Sequence, residues 1–261
     1  MKVLKFIRNF KHVSAVRKVK ILNLFKKIFL GYKASSASYV NYLRRKKVSI
    51  GKGVEIFRPF QTNIDIQNPH LLTIGNYVQM TGPVTILTHD YSWSVLKRKY
   101  NGEILGNQRE TVIGNNVFIG WGATILGGSQ IGDNTIIGAN SVISGKIKGN
   151  SVYAGNPAKY LMSLEEYYRK RKALQLEEAV NYVKKYKEKF GKLPVEEELD
   201  EYFFLFRNNN DDRMFERKLK LMGNYEESIN CLEMHKKSFD DYNHFLKFAV
   251  SIIDKKINVE V

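Results

Sequence analysis

His89 ends the run VTILTH and stands where a regular beat in the chain stops. An imidazole, with an ordinary pKa of about 6.5, can take a proton from a hydroxyl as that hydroxyl attacks. Upstream, Asn63 offers an amide that can donate to a ligand oxygen or to developing negative charge. It can equally be a corner asparagine in the left-handed region. Asp65, two residues on, could face the same ligand, whereas Asp90 beside His89 need not point the same way. The other histidines, His12, His70, His235 and His244, lack the setting of His89. Of these only His70 shares the repeat region, so the three imidazoles of a metal lyase are missing and no metal is expected. The single cysteine, Cys231, lies outside that region, which removes a covalent acyl-cysteine route and any intramolecular disulfide. There is neither a Gly-rich loop ending in Gly-Lys-Ser/Thr nor a Cys/His set with zinc-finger spacing.

What would hold His89 in place is a repeat of six. Ile113, Ile119, Ile125, Ile131, Ile137 and Ile143 follow one another at that interval, mostly with a small residue directly after. An earlier set, Ile50, Ile56, Ile74, Met80 and Ile86, keeps the same beat. It is irregular between Ile56 and Ile74, and it is lost between Ile86 and Ile113, so a loop over residues 91–110 should project. A helix needs apolar spacings of three and four, and a two-faced strand alternates by two. A beat of six fits short strands joined by tight corners, three to a coil, with coils stacked about 4.8 Å apart. The predicted fold is therefore mainly β, a parallel β-helix over 48–162 whose aliphatic ladder is structural.

The flanks differ in character. Residues 1–47 carry fourteen Lys and Arg and no acidic residue, while the other 28 basic residues nearly balance 26 acidic ones. This basic N-terminal arm suits a lipid surface, nucleic acid or a pyrophosphate-linked substrate, or it is a solvated extension without a partner. Leu22, Phe25 and Phe29 could share one helix face, and ASSAS at 34–38 reads as a loop. Beyond the repeat, 163–261 reads as an α-helical region. Ser163 and Glu166 form a capping-box pattern before one long helix that Gly191 and Pro194 stop. VEEELDEYFFLF reads as a shorter helix, NNNDD as a turn, and two or three helices follow.

VTILTHDYSW, the following NGE, VIGNNVFIGWGATI, IGDNTIIGANSVIS and AGNPAKYL together resemble the hexapeptide-repeat acetyltransferases, nearest to the galactoside and maltose O-acetyltransferase type. A looser likeness, through HDYSWSV and the helical tail, is to capsule and O-antigen O-acetyltransferases. The resemblance implies a left-handed parallel β-helix with a protruding loop, assembled as a homotrimer with active sites between subunits. It implies acetyl-CoA as co-substrate, a sugar or glycan acceptor, and His89 as the general base of direct transfer in a ternary complex. Asn63 then matches an asparagine lining the acceptor site, with Asp65 beside it. On the cofactor side Phe118 takes the place of a tryptophan, Trp121 replaces a small polar residue, Ala139 and Ser144 give backbone contacts, and Lys159 replaces a phosphate-binding arginine. A second basic position is Met162 here, so phosphate binding would rest on fewer charges.

The expected role is acetyl transfer to a sugar hydroxyl in cell-surface polysaccharide synthesis. Transfer to the amine of a nucleotide-linked amino sugar, or a non-catalytic scaffold docking through EYFFLF, stays open at this point. The lone cysteine and the lack of a membrane-length apolar run fit the cytoplasm, with peripheral contact to an anionic membrane through residues 1–33 and no nucleic acid.

Overall fold

The computed structural model describes residues 29–211 and 213–257, with side chains as far as Asp254. Two compact units meet between Glu165 and Glu166.

In the first unit each six-residue step carries the chain from one sheet to the next. The first coil is β1 (Ser49–Ile50), β2 (Glu55–Ile56) and β3 (Asn63–Ile64), and the second is β4 (Leu72–Ile74), β5 (Gln79–Met80) and β6 (Thr85–Ile86). The third is β7 (Thr111–Ile113), β8 (Val117–Ile119) and β9 (Thr124–Ile125), and the fourth is β10 (Gln130–Ile131), β11 (Thr135–Ile137) and β12 (Val142–Ile143). A partial fifth coil holds β13 (Lys146–Ile147) and β14 (Ser151–Ala154), against which β15 (Lys159–Ser163) turns back antiparallel. Three sheets result, β1-β4-β7-β10-β13, β2-β5-β8-β11-β14-β15 and β3-β6-β9-β12. The register stacks like on like: Ile64, Ile86, Ile125 and Ile143 face one another along the third sheet. All four are buried, each stabilising the prism by about 1.5–3 kcal/mol relative to exposure. Ile64 and Ile147 belong to the ladder too. Ile64 escaped the six-residue count because PFQT at residues 59–62 lengthens the preceding corner.

Corners are held by asparagines. Asn116, Asn134 and Asn150 share left-handed backbone and pass a hydrogen bond from amide to amide at 2.9 and 3.0 Å. ASSAS, expected as a loop, starts a helix instead. Ser35 caps α1 (Ser36–Arg45) by accepting from the Ser38 N–H, which satisfies a donor that the helix leaves open. Tyr39, Val40 and Leu43 then join the prism core, so this part of the basic arm is packed against the first coil. Leu22 and Phe25 lie outside the described residues, and Phe29 is exposed.

The second unit is helical. α3 (Leu164–Phe190) is the long helix, followed after short turns by α4 (Glu216–Leu219), α5 (Tyr225–Met234) and α6 (Tyr242–Ile257). α2 (Trp93–Lys99) lies in the projecting loop of the first unit. VEEELDEYFFLF is not one helix but two 3-10 turns, Glu196–Leu199 and Phe203–Leu205. Its five carboxylates would repel along one α-helix. Glu198 is tied instead to the Tyr186 hydroxyl at 2.6 Å, and Glu196 pairs with Arg207. Phe203 stacks on Phe215 at 4.4 Å, and Phe206 packs against Phe245, so these rings fill the core of the helical unit. That burial removes most of the docking surface EYFFLF could have offered.

Candidate active site

The third sheet ends at a corner where residues of three successive coils converge. From the first coil comes Asp65, directly after β3, and from the second comes Thr88-His89, after β6. On the third coil Gly127 lies flat against them. A Cβ built there would sit 3.0 Å from the Thr88 carbonyl carbon and 3.2 Å from the His89 nitrogen.

The central contact is His89 Nδ1 to Asp65 Oδ2 at 2.6 Å, with the imidazole 16% and the carboxylate 7% exposed. An ionised carboxylate only accepts, so Nδ1 carries the proton, and in the neutral imidazole Nε2 then holds the lone pair. The same Oδ2 accepts from Thr88 Oγ1 at 2.5 Å and from the Thr88 N–H at 3.1 Å, and Oδ1 accepts from the Gln67 N–H at 2.9 Å. Burial raises the Asp65 pKa, but the hydrogen bonds from Thr88, Gln67 and His89 outweigh it and hold the carboxyl below its ordinary range. The arrangement is a buried carboxylate that orients an imidazole whose other nitrogen is available as a base.

The loop projects from this corner. Its base is closed by an antiparallel bridge between His89 and Gln108 and by the Arg109 N–H donating to the Thr88 carbonyl at 2.8 Å. α2 (Trp93–Lys99) lies within it. Asp90 points away from the imidazole's partner: it accepts from Ser92 and Asn107 and lies 3.9 Å from Arg109, which fixes the loop base. Tyr91 sets its ring edge-on to His89 at 5.2 Å between centroids and exchanges hydrogen bonds with Gln67. Sequence reasoning passed over Thr88, Gln67 and Tyr91. Only the adjacency of Thr88 and Tyr91 to His89 could have flagged them.

Asn63 is exposed on β3, on the same coil as Asp65, with its backbone paired to the second coil. Ser144 is exposed just after β12, further along the corner that carries His89. The remaining expected residues lie elsewhere. Trp121 and Ala139 stand one coil apart on the corner that follows the second sheet, where the Asn140 N–H donates to the Trp121 carbonyl at 2.7 Å. Phe118 is on the outer face of β8, and Lys159 is exposed at the start of β15. Within one chain, then, His89, Asp65, Asn63 and Ser144 share one edge of the prism, and Trp121 and Ala139 occupy another. Among the described residues no group of three or more His, Cys, Asp or Glu could hold a metal ion.

A family model described as bacterial transferase hexapeptide (six repeats) matches residues 110–145. Protein CapG of Staphylococcus aureus is 34% identical over 142 residues, which are 54% of this chain and 80% of that protein. Galactoside O-acetyltransferase of Escherichia coli strain K12 is 34% identical over 120 residues, 45% of this chain and 58% of the enzyme. WbbJ of the same strain, provisionally named a lipopolysaccharide biosynthesis O-acetyl transferase, is 33% identical over 122 residues, 43% of this chain and 62% of that protein. The chain thus spans under two thirds of the last two relatives but four fifths of CapG. With the ladder of six explained coil by coil and a relative matched over most of its length, the chain belongs to the hexapeptide-repeat transferase family.

Proposed function

We propose that the protein is an acetyl-CoA-dependent O-acetyltransferase acting on a sugar hydroxyl in cell-surface polysaccharide synthesis. The observation that carries this reading is the 2.6 Å contact between His89 and Asp65 on a rigid corner of the prism. Support comes from relatives named as O-acetyltransferases, one of galactosides and one placed in lipopolysaccharide biosynthesis.

Acetyl-CoA supplies the acyl group as a thioester. His89 Nε2 takes the proton of the acceptor hydroxyl as its oxygen attacks the thioester carbonyl, and the imidazolium then returns that proton to the leaving thiolate. Asp65 keeps Nδ1 protonated and stabilises the imidazolium while it lasts. It is thus a positioning residue, a role that suits its burial better than direct contact with the acceptor. Asn63, exposed on the same edge, donates to the sugar or to the developing oxyanion.

Phe118, Trp121, Ala139 and Ser144 line the acetyl-CoA cleft, and Lys159 reaches a phosphate. Because Trp121 and Ala139 stand on a different edge from His89, the cleft is completed by a neighbouring subunit in a homotrimer of left-handed β-helices. The loop's exposed Tyr91, Val95, Tyr100 and Ile104 suit such a neighbour. Among the described residues no helix is long and apolar enough to cross a membrane. The protein works in the cytoplasm, where the basic arm over 1–33 touches the anionic inner face of the membrane.

Thiol release from acetyl-CoA, measured with a panel of sugar acceptors, tests this reading. A base-labile acetylated product is expected, since esters hydrolyse where amides do not. A base-stable product would move the activity to amines, and no thiol release with any acceptor would remove the enzymatic reading.

A further inference from the structure

Arg58 lies on the long corner of the first coil, and its guanidinium sits over the Trp121 ring at 4.6 Å from the ring centre, two coils away. Gly82 on the intervening coil makes room for it: a Cβ there would come within 3.0 Å of the Arg58 Cβ and 3.3 Å of its carbonyl oxygen. Both Arg58 and Trp121 are exposed. One Nη of Arg58 donates to the Gln61 side chain at 3.3 Å, and among the described residues no carboxylate pairs with it. A guanidinium held 4.6 Å from the centre of an indole ring loses torsional freedom, and its remaining N–H groups form a rigid planar fork. That fork matches two oxygens of a carboxylate or phosphate. Lysine would give a point charge and no fork.

The position says which substrate would meet it. Ala139 and Lys159, assigned above to the cofactor, lie on the fourth coil and on β15, to the C-terminal side of Trp121. Arg58 approaches Trp121 from the opposite, N-terminal end, at the level of the first coil; Asn63 and Asp65 lie at that level on a different edge, so a neighbouring subunit of the proposed trimer would bring them to it. Resting on the proposed acetyl transfer, we propose that Arg58, held on Trp121, reads an oxyanion on the acceptor, so that the acceptor is an acidic glycan or a phosphate-bearing sugar rather than a neutral one. The two sources share this chemistry and are separated by the probes below.

The test is equilibrium binding to the full chain by calorimetry, with one matched set each for glucose, galactose and mannose: the methyl glycoside, the corresponding uronic acid glycoside and the corresponding sugar 1-phosphate. In at least one set the wild type is expected to bind an acidic member about tenfold more tightly than its neutral partner, in line with one added bidentate contact. Arg58→Gln should abolish that preference, Arg58→Lys should keep part of it, and Arg45→Gln, an exposed cation elsewhere, should leave it intact. The uronic acid or the phosphate as preferred member names the source. No acidic preference in the wild type, or a preference that survives Arg58→Gln, overturns the proposal. So does a loss of acetyl-CoA affinity in Arg58→Gln, which would assign the cation to the cofactor. Failure of the acetyltransfer reading looks different: the wild type would then bind no acetyl-CoA, whatever its sugar preference.

Discussion

Asp65 gathers four hydrogen bonds onto one carboxylate, from Thr88 twice, His89 and Gln67, and its titration follows from them. Its folded pKa lies below the ordinary value of 3.8. A depressed carboxyl stabilises the fold at pH values above the unfolded pKa, and that contribution is lost as the pH falls through the folded value. Asp65→Asn is therefore expected to lower stability most at neutral pH, to flatten the decline below about pH 4, and to converge with the wild type once the pH falls below the folded value; thermal melts across pH read this directly. An amide in place of the carboxylate can also present its N–H₂ to Nδ1 and favour the wrong tautomer. The same variant should lower kcat by at least about tenfold with little change in the KM for acetyl-CoA. An unchanged kcat would mean that the contact is structural only.

Elements set how well that residue geometry is held. Gly127 stacks on the Thr88-His89 backbone, and a methyl group there forces a shift of a few tenths of an ångström. Gly127→Ala should cut kcat severalfold with little loss of stability, since small displacements at a reacting group are costly to rate; steady-state kinetics beside a melting curve separates the two. Ile125, fully buried one coil from Ile86, tests the ladder itself. Ile125→Ala should destabilise by about 2–5 kcal/mol in a denaturant titration. The ladder was legible in the sequence because a period of six belongs to neither a helix nor a two-faced strand, and each isoleucine marks one sheet. The contact of Asp65 with His89 was not legible, because it joins residues on different coils and depends on which way two corner side chains turn. ASSAS misled because serine both ends loops and caps helices, and only the burial of Tyr39, Val40 and Leu43 decides between them. VEEELDEYFFLF misled because its helical spacing gave way to tethers from Tyr186 and Arg207.

At the scale of the molecule, charge and assembly carry the open proposals. Lys33 donates to the Thr62 carbonyl and Arg44 to the Ile50 and Gly51 carbonyls, so part of the arm's charge serves the fold. The charge left for a membrane is concentrated in residues 1–28, which hold nine of the fourteen basic residues of the arm. Removing those residues should weaken sedimentation with vesicles containing anionic lipid and spare acetyl-CoA binding, with the effect fading as salt is raised. Unchanged vesicle binding would leave the arm without a lipid partner. On the proposed site shared between subunits, light scattering should report three chains of 30.2 kDa each. A monomer that turns over at full rate would contradict a shared site.

In the proposed mechanism His89 removes the acceptor's proton. Acetyl transfer from acetyl-CoA to the best acceptor sugar, compared between the wild type and His89→Ala, tests it most directly. In His89→Ala kcat is expected to fall by at least about a hundredfold, with acetyl-CoA affinity and melting temperature nearly unchanged. A His89→Ala protein that transfers at the wild-type rate would contradict it.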